Sequence, residues 1–232
     1  MGKYIRTLSI FYDTPINQKE IQLFRGAILK SMGNNADILY HNHTEDDSFR
    51  YSYPLIQYKR IRGKACIVCI DKGVDLIGQF LSEAPSALCL GEREISPMIT
   101  RIIPSRLMVQ TWETMFDYHL SYWVPFNSKN YQLYKMIADE TERIAFLEKI
   151  LKGNLLSMLK GLDIFIEKEI LLHITHLSNP HLLYNKGIGM TSYNVDFSCN
   201  LSVPNNLGIG KNASIGCGVI RQIKKQQKEP KQ

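Results

Sequence analysis

Apolar and polar positions along the chain change period several times, and each change predicts an element. Tyr4 to Tyr12 is rich in aromatic and β-branched residues, with Leu8, Ile10 and Tyr12 on one face, which predicts a strand. Ile21, Phe24, Ile28 and Met32 then recur at helical spacing. Pro15 and Asn17 suit the start of that helix and Gly33-Asn34-Asn35 its end. Arg50 to Arg60 and Lys64 to Asp71 read as a hairpin turning at Arg62-Gly63. Val74, Ile77, Leu81 and Ala84 predict a second helix that Pro85 ends, and Ala87 to Ile95 returns as a fourth strand. The order is βαββαβ.

From about Thr100 the arrangement partly repeats. Arg106 to Val124 is strand-rich, and a connection lies at Asn127 to Asn130. Ile144, Leu147, Leu151, Leu155, Met158 and Leu162, three or four apart, predict a long helix with one buried stripe. Glu169 to Leu177 and Thr191 to Val203 alternate with period two and predict strands, and Val219 to Ile223 predicts a last one. Where a second helix belongs, Asn206 to Val219 is rich in glycine, so a loop replaces or precedes it. The expected class is α+β, as tandem ferredoxin-like domains over residues 1–98 and 99–224, with a basic tail at 225–232.

Gly208, Gly210, Gly216 and Gly218 lack Cβ where the backbone needs positive φ or close approach, and the N–H groups between them can converge on an anion. The competing reading is an ordinary connection before a strand. The run is neither a P-loop nor a dinucleotide fingerprint, because the required glycine spacing and the Ser/Thr or acidic residue are missing.

Composition narrows the field only partly. With 232 residues, 44% of them hydrophobic, the chain can form real cores. Lys and Arg number 28 against 22 Asp and Glu, and the net charge of +6 suits a polyanionic partner. No apolar run approaches the roughly 20 residues that span a bilayer, and the first residues carry no apolar leader segment, so a cytoplasmic protein without a membrane partner is expected. Five scattered cysteines suit reduced thiols. Cys66 and Cys69, three apart on a strand, face opposite sides, and no metal or other cofactor is expected.

His41 and His43 precede an acidic, polar stretch. Imidazoles can accept and donate protons near neutral pH, and such a pair is what cleavage of RNA by its own 2′-hydroxyl requires. A two-ligand metal site and two solvated loop histidines are the alternatives. His119, His173, His176 and His181 lie in or beside expected strands and read as structural. On the hairpin, Tyr58 with Lys59, Arg60, Arg62 and Lys64 offers a base-stacking face and phosphate-binding cations, or else a solvated hairpin end.

Leu23-Phe-Arg-Gly-Ala-Ile28, Leu39-Tyr-His-Asn-His43, Tyr51-Ser-Tyr-Pro-Leu-Ile-Gln-Tyr-Lys59, Leu207-Gly-Ile-Gly-Lys211 and Gly216-Cys-Gly218, in this order, resemble the CRISPR-associated repeat-RNA-processing endoribonucleases of the RAMP superfamily, in the subtype with a His-x-His pair. The resemblance spans about Tyr4 to Ile223. It implies metal-independent cleavage of precursor CRISPR RNA within each repeat, leaving a 5′-hydroxyl and a 2′,3′-cyclic phosphate. His41 and His43 would be catalytic. Gly208, Gly210, Lys211, Asn212, Gly216 and Gly218 would contact the RNA backbone, with Lys59 and Arg60 helping. A homodimer is also compatible with it, and no small-molecule cofactor is implied. The family's loop usually reads Ser-Arg-Gly-Phe-Gly near its end. Here Ser214-Ile215-Gly216-Cys217-Gly218 lacks the cation and the aromatic face. The alternative reading is a catalytically silent RNA-binding protein of the same superfamily.

Overall fold

A computed structural model describes residues 2–32, 53–82, 87–185 and 187–224. Strand β1 (Lys3–Pro15) sends Ile5, Thr7 and Ser9 to one buried face and Ile10 and Tyr12 to the other. Helix α1 (Ile21–Ser31) follows a short 3-10 turn, Gln18–Glu20. The Asn17 side chain accepts from the N–H groups of Lys19 and Glu20, while the Glu20 carboxylate accepts from the Asn17 N–H at 2.8 Å. This reciprocal capping box fixes the start of the helix. Strands β2 (Ile56–Ile61) and β3 (Lys64–Ile70) form the expected hairpin, and Arg62 and Gly63 turn it with φ of 52° and 83°. Helix α2 (Lys72–Ser82) completes the helical layer.

The fourth strand is not the segment expected. Within Ala87 to Ile95 the chain doubles back at Gly91-Glu92, giving a separate hairpin of β4 (Leu88–Leu90) and β5 (Arg93–Ile95). Its place in the sheet is taken by β6 (Ile99–Val109), which runs antiparallel along β1, and the strand order is β2-β3-β1-β6. The break expected after residue 98 therefore cuts through the first sheet, and the structural joint is Gln110. Pro104 is tolerated inside β6 because an edge strand can lack an outward N–H without losing a ladder bond.

Beyond Gln110 come β7 (Thr111–Trp123), α3 (Ser128–Met136), α4 (Glu140–Gly161), β8 (Leu172–Leu177), β9 (His181–Asn185), β10 (Ile188–Leu201) and β11 (Val219–Gln222). The second sheet has the order β11-β7-β10-β8, with β9 paired to β10. Numbered within each unit, both sheets have the fourth strand beside the first and the third beside the second, the ferredoxin-like arrangement. The expected connection at Asn127 to Asn130 is instead the start of α3, capped by the Asn127 side chain, which accepts from the Asn130 N–H at 2.8 Å. Helix α4 buries Leu147, Leu151, Leu155 and Met158, as its periodicity predicts.

One core lies between the first sheet and its helices, around Ile10, Phe24, Ile28, Tyr58 and Ile67. The other runs continuously from the opposite face of that sheet, Ile5, Cys66 and Val68, to Leu151, Trp123 and Phe197 of the second unit. The units therefore share a core. Cys66 and Cys69 fall in different cores, as the strand period requires.

Candidate nucleic-acid interface

The glycine-rich segment occupies the place of the second unit's last helix and is irregular from Ser202 to Gly218. Its first half runs beside β11, where the Ile220 N–H donates to the Leu207 carbonyl at 2.8 Å and the Ile209 N–H to the Gly218 carbonyl at 2.8 Å. The segment is also fastened to the first unit. The Gly208 N–H donates to Gln57 Oε1 at 2.7 Å, Tyr53 Oη donates to the Gly208 carbonyl at 2.8 Å, and the Tyr58 N–H donates to the Ser214 carbonyl at 2.8 Å. Gln18 Nε2 reaches the Gly216 carbonyl at 3.0 Å. The loop thus lies along the outer edge of β2, with Ile215 bridged in parallel to Tyr58.

This attachment explains the glycines. Gly218 has a φ of 59°, and a Cβ there would run into the carbonyl of Ile209; a Cβ on Gly208 would overlap the Lys59 ammonium and the Ala213 carbonyl. Gly218→Ala is expected to cost at least about 2 kcal/mol, because left-handed strain and a backbone clash add together. Gly26→Ala serves as the control. Nothing lies within 4 Å of its added Cβ on α1, so a gain of about 0.5–1 kcal/mol is expected. Urea denaturation of both variants tests the contrast.

The structure redistributes the residues expected to bind RNA. Gly208, Gly216 and Gly218 are buried, and the N–H groups of Gly208 and Gly218 are consumed inside the protein, the latter by the Tyr122 carbonyl at 3.1 Å. Gly210 packs against Trp123 and Asn154, whose side chains are joined by a 2.9 Å hydrogen bond. Asn212 is half-buried, and its Nδ2 lies 3.4 Å from Met190 Sδ. Lys211 is exposed, on the rim of two depressions of about 640 and 240 Å³, the larger also bordered by Lys129 and Lys149.

Lys59 and Tyr58 require correction. Neither is a surface group: Lys59 is 0% exposed and Tyr58 is 3% exposed, edge-on to Phe24. Helix α1 covers one face of β2 while the glycine loop closes its edge, so the hairpin offers no stacking face at Tyr58. Lys59 Nζ donates to the Ala213 carbonyl at 2.5 Å, an internal tie to the loop. Burial pulls its pKa down to about 7, partly offset by the neighbouring thiols of Cys217 and Cys66. Arg60 is exposed, and its Nε donates to the Ile16 carbonyl at 2.6 Å.

A basic cleft of about 560 Å³ lies where β6, the β2–β3 turn and the end of the second sheet meet. Arg62, Lys64, Arg101 and Arg221 line it together with Phe11 and Asn206. Arg101 stacks over the Phe11 ring at 4.7 Å. Burial, and then the like charge of Arg62, lower the pKa of Arg221. Among the described residues none of these four cations has an ion-pair partner. Clustered cations with no acid are arranged for an external anion, and a phosphodiester backbone supplies several. Arg101 and Arg221 escaped the sequence reading. Their signal is an arginine set into a strand otherwise rich in apolar residues.

His41 and His43 lie outside the described residues. His119 Nδ1 is 2.6 Å from Asp196 Oδ1 on the second sheet, a hydrogen-bonded histidine as expected there. Among the described residues no three His, Cys, Asp or Glu side chains gather as metal ligands, and no helix is long and apolar enough to cross a membrane.

Two ferredoxin-like units in tandem, joined by a shared core and closed by a glycine loop, define the class as a tandem ferredoxin-like α+β protein. Residues 3–106 match the Cas6b N-terminal domain and residues 110–223 the Cas6b C-terminal domain. The chain belongs to the Cas6b family. The interval between the two matches, residues 107–109, is the end of β6, and the second match begins at Gln110 itself. A crystal structure of Cas6b shares 26% identity with a TM-score of 0.83, covering 95% of this chain and 100% of that one. A crystal structure of the CRISPR RNA processing endoribonuclease Cas6b shares 25% identity with a TM-score of 0.73 over the same shares. An uncharacterized protein of Methanocaldococcus jannaschii is 38% identical over 114 residues, 48% of this chain and 75% of that protein.

Proposed function

We propose that this chain is a cytoplasmic endoribonuclease that cleaves precursor CRISPR RNA within its repeats, without a metal ion. The observation that carries the reading is its membership of the Cas6b family over nearly the whole chain, together with its similarity at 25% identity to a CRISPR RNA processing endoribonuclease. The acid-free basic cleft and the exposed Lys211 support RNA as the ligand. In the proposed reaction one of His41 and His43 removes the proton of a 2′-hydroxyl. The 2′-oxygen bonds to the adjacent phosphorus and the P–O5′ bond breaks. The other histidine, protonated, donates to the leaving 5′-oxygen. The products are a 2′,3′-cyclic phosphate and a 5′-hydroxyl.

Incubating the protein in EDTA with labelled repeat RNA, alongside copies carrying one 2′-deoxynucleotide at each position, tests this reaction. Cleavage in EDTA that a single deoxy substitution abolishes is the expected result. Cleavage that persists through every deoxy substitution, or that EDTA abolishes, would overturn the mechanism. Binding without any cleavage would leave an RNA-binding protein of this fold.

A further inference from the structure

We propose that the cavity between α1, the glycine loop and the β9–β10 hairpin receives a single nucleobase of the bound RNA, read by the amides of Gln22 and Asn185 and stacked on Tyr184. This deepens the RNA-processing reading and rests on it for the ligand. The cavity has a volume of about 140 Å³, enough for one flat heterocycle rather than a chain of nucleotides. Its walls come from three places distant in sequence: Gln22 on α1, Asn212 and Cys217 on the loop, and Tyr184, Asn185 and Met190 on the hairpin.

The chemistry of the lining selects the ligand. Its charged side chain is Lys19, which is exposed, and no carboxylate lines the cavity. Apart from Lys19 its polar groups are uncharged, the amides of Gln18, Gln22, Asn185 and Asn212 with the Tyr184 hydroxyl and the Cys217 thiol, set among apolar side chains and the Met190 thioether. A phosphate or a charged peptide terminus would find little compensation for its lost water there. A nucleobase has apolar faces and a neutral edge of donors and acceptors, and it fits both surfaces.

The amides are already oriented. Gln22 Nε2 donates to Asn185 Oδ1, joining the first unit's helix to the second unit's hairpin. Among the described residues neither Gln22 Oε1 nor Asn185 Nδ2 has a further partner, so an acceptor and a donor remain close together. A base edge with a donor next to an acceptor complements that pair, as asparagine and glutamine do for adenine in other settings. The floor is held as well, by the bond from Gln18 to the Gly216 carbonyl at 3.0 Å.

The hairpin supplies the stacking surface. Tyr184 is 59% exposed, beside the similarly exposed Leu182 and Ile188, and this apolar tip covers no core of the protein. An aromatic ring left in water next to a base-sized cavity without a carboxylate is a stacking platform.

The test is a panel of repeat RNAs, each with one abasic nucleotide, assayed for both affinity and single-turnover cleavage with the wild type, Gln22→Leu, Asn185→Leu, Tyr184→Ala and Tyr184→Phe. In the wild type, one abasic position is expected to weaken binding or slow cleavage by about 5- to 150-fold. That same substitution should have little further effect in Gln22→Leu, Asn185→Leu or Tyr184→Ala, while Tyr184→Phe keeps the wild-type response. Because Tyr184 is largely exposed, its variants fold whether or not the amide variants do. Equal sensitivity to every abasic position in wild type and variants would overturn the pocket. Position-dependent affinity without cleavage would remove the nuclease reading and keep the pocket, whereas failure to bind any repeat RNA would remove both.

Discussion

Replacing His41 or His43 by alanine is expected to slow cleavage of repeat RNA by about 10²- to 10⁴-fold, the usual loss when one general acid or base is removed. Affinity should change little, because the cations that would hold the backbone, Arg62, Lys64, Arg101, Arg221 and Lys211, are supplied by other elements. Single-turnover rates and a binding isotherm on the same RNA separate the two effects. The pH profile adds an independent check. A rate that needs one neutral and one protonated imidazole rises and then falls around neutral pH, and each alanine variant should lose one limb. Cleavage by the double variant at the wild-type rate would sink the assignment.

The second large effect concerns stability and comes from Lys59. Burial brings its pKa from 10.5 to about 7 in the folded protein. Between those values the unfolded chain binds a proton that the folded protein does not, so stability should rise with pH across that window. The gain amounts to about 1.6 kcal/mol between pH 7 and pH 8.5, because the folded ammonium is still about half protonated at pH 7. Higher up, the trend is opposed. Burial raises the thiols of Cys66 to about 12 and of Cys199 and Cys217 to about 11 from 9.0, and that lowers stability once unfolded thiols ionise. Urea denaturation at intervals of pH should show a rise from 7 to 8.5 in the wild type and no rise in Lys59→Met, whose stability declines slightly as the unfolded thiols begin to ionise. The same slope in both proteins would show that the ammonium is not the source.

Elements whose signal is local were legible in the sequence. The Asn17 cap, the Arg62-Gly63 turn and the stripe of α4 each depend on neighbouring residues, and each forms as expected. The fourth strand of the first sheet was not legible, because period-two patterning cannot say which sheet a strand joins: β4 with β5 and β6 read alike until β1 chooses its partner. Helix α3 was missed because it buries no residue and so carries no apolar stripe. At the site, Lys59 looked like a surface cation because a lysine in an alternating strand normally faces water. Here the loop from the far end of the chain covers that edge. Arg101 and Arg221 meet through tertiary contact alone. Their residue types hinted at a partner, and their sequence separation hid it.

The way β6 passes into β7 at Gln110 has a consequence during synthesis. Strand β1 is made before both of its neighbours, and the second of them is completed only at Val109, so the emerging chain holds β1 with one side unpaired for about the length of a small domain. An unpaired strand edge invites pairing with other chains. A fragment cut at residue 98 would keep that edge for good and should aggregate, whereas one ending at Gln110 would have every strand of the first sheet. Even that longer piece would leave Ile5, Cys66 and Val68 uncovered, because the layer that buries them has yet to be translated. Synthesis of the second unit as far as Ile220, rather than completion of the first sheet, is what lets this protein close its larger core.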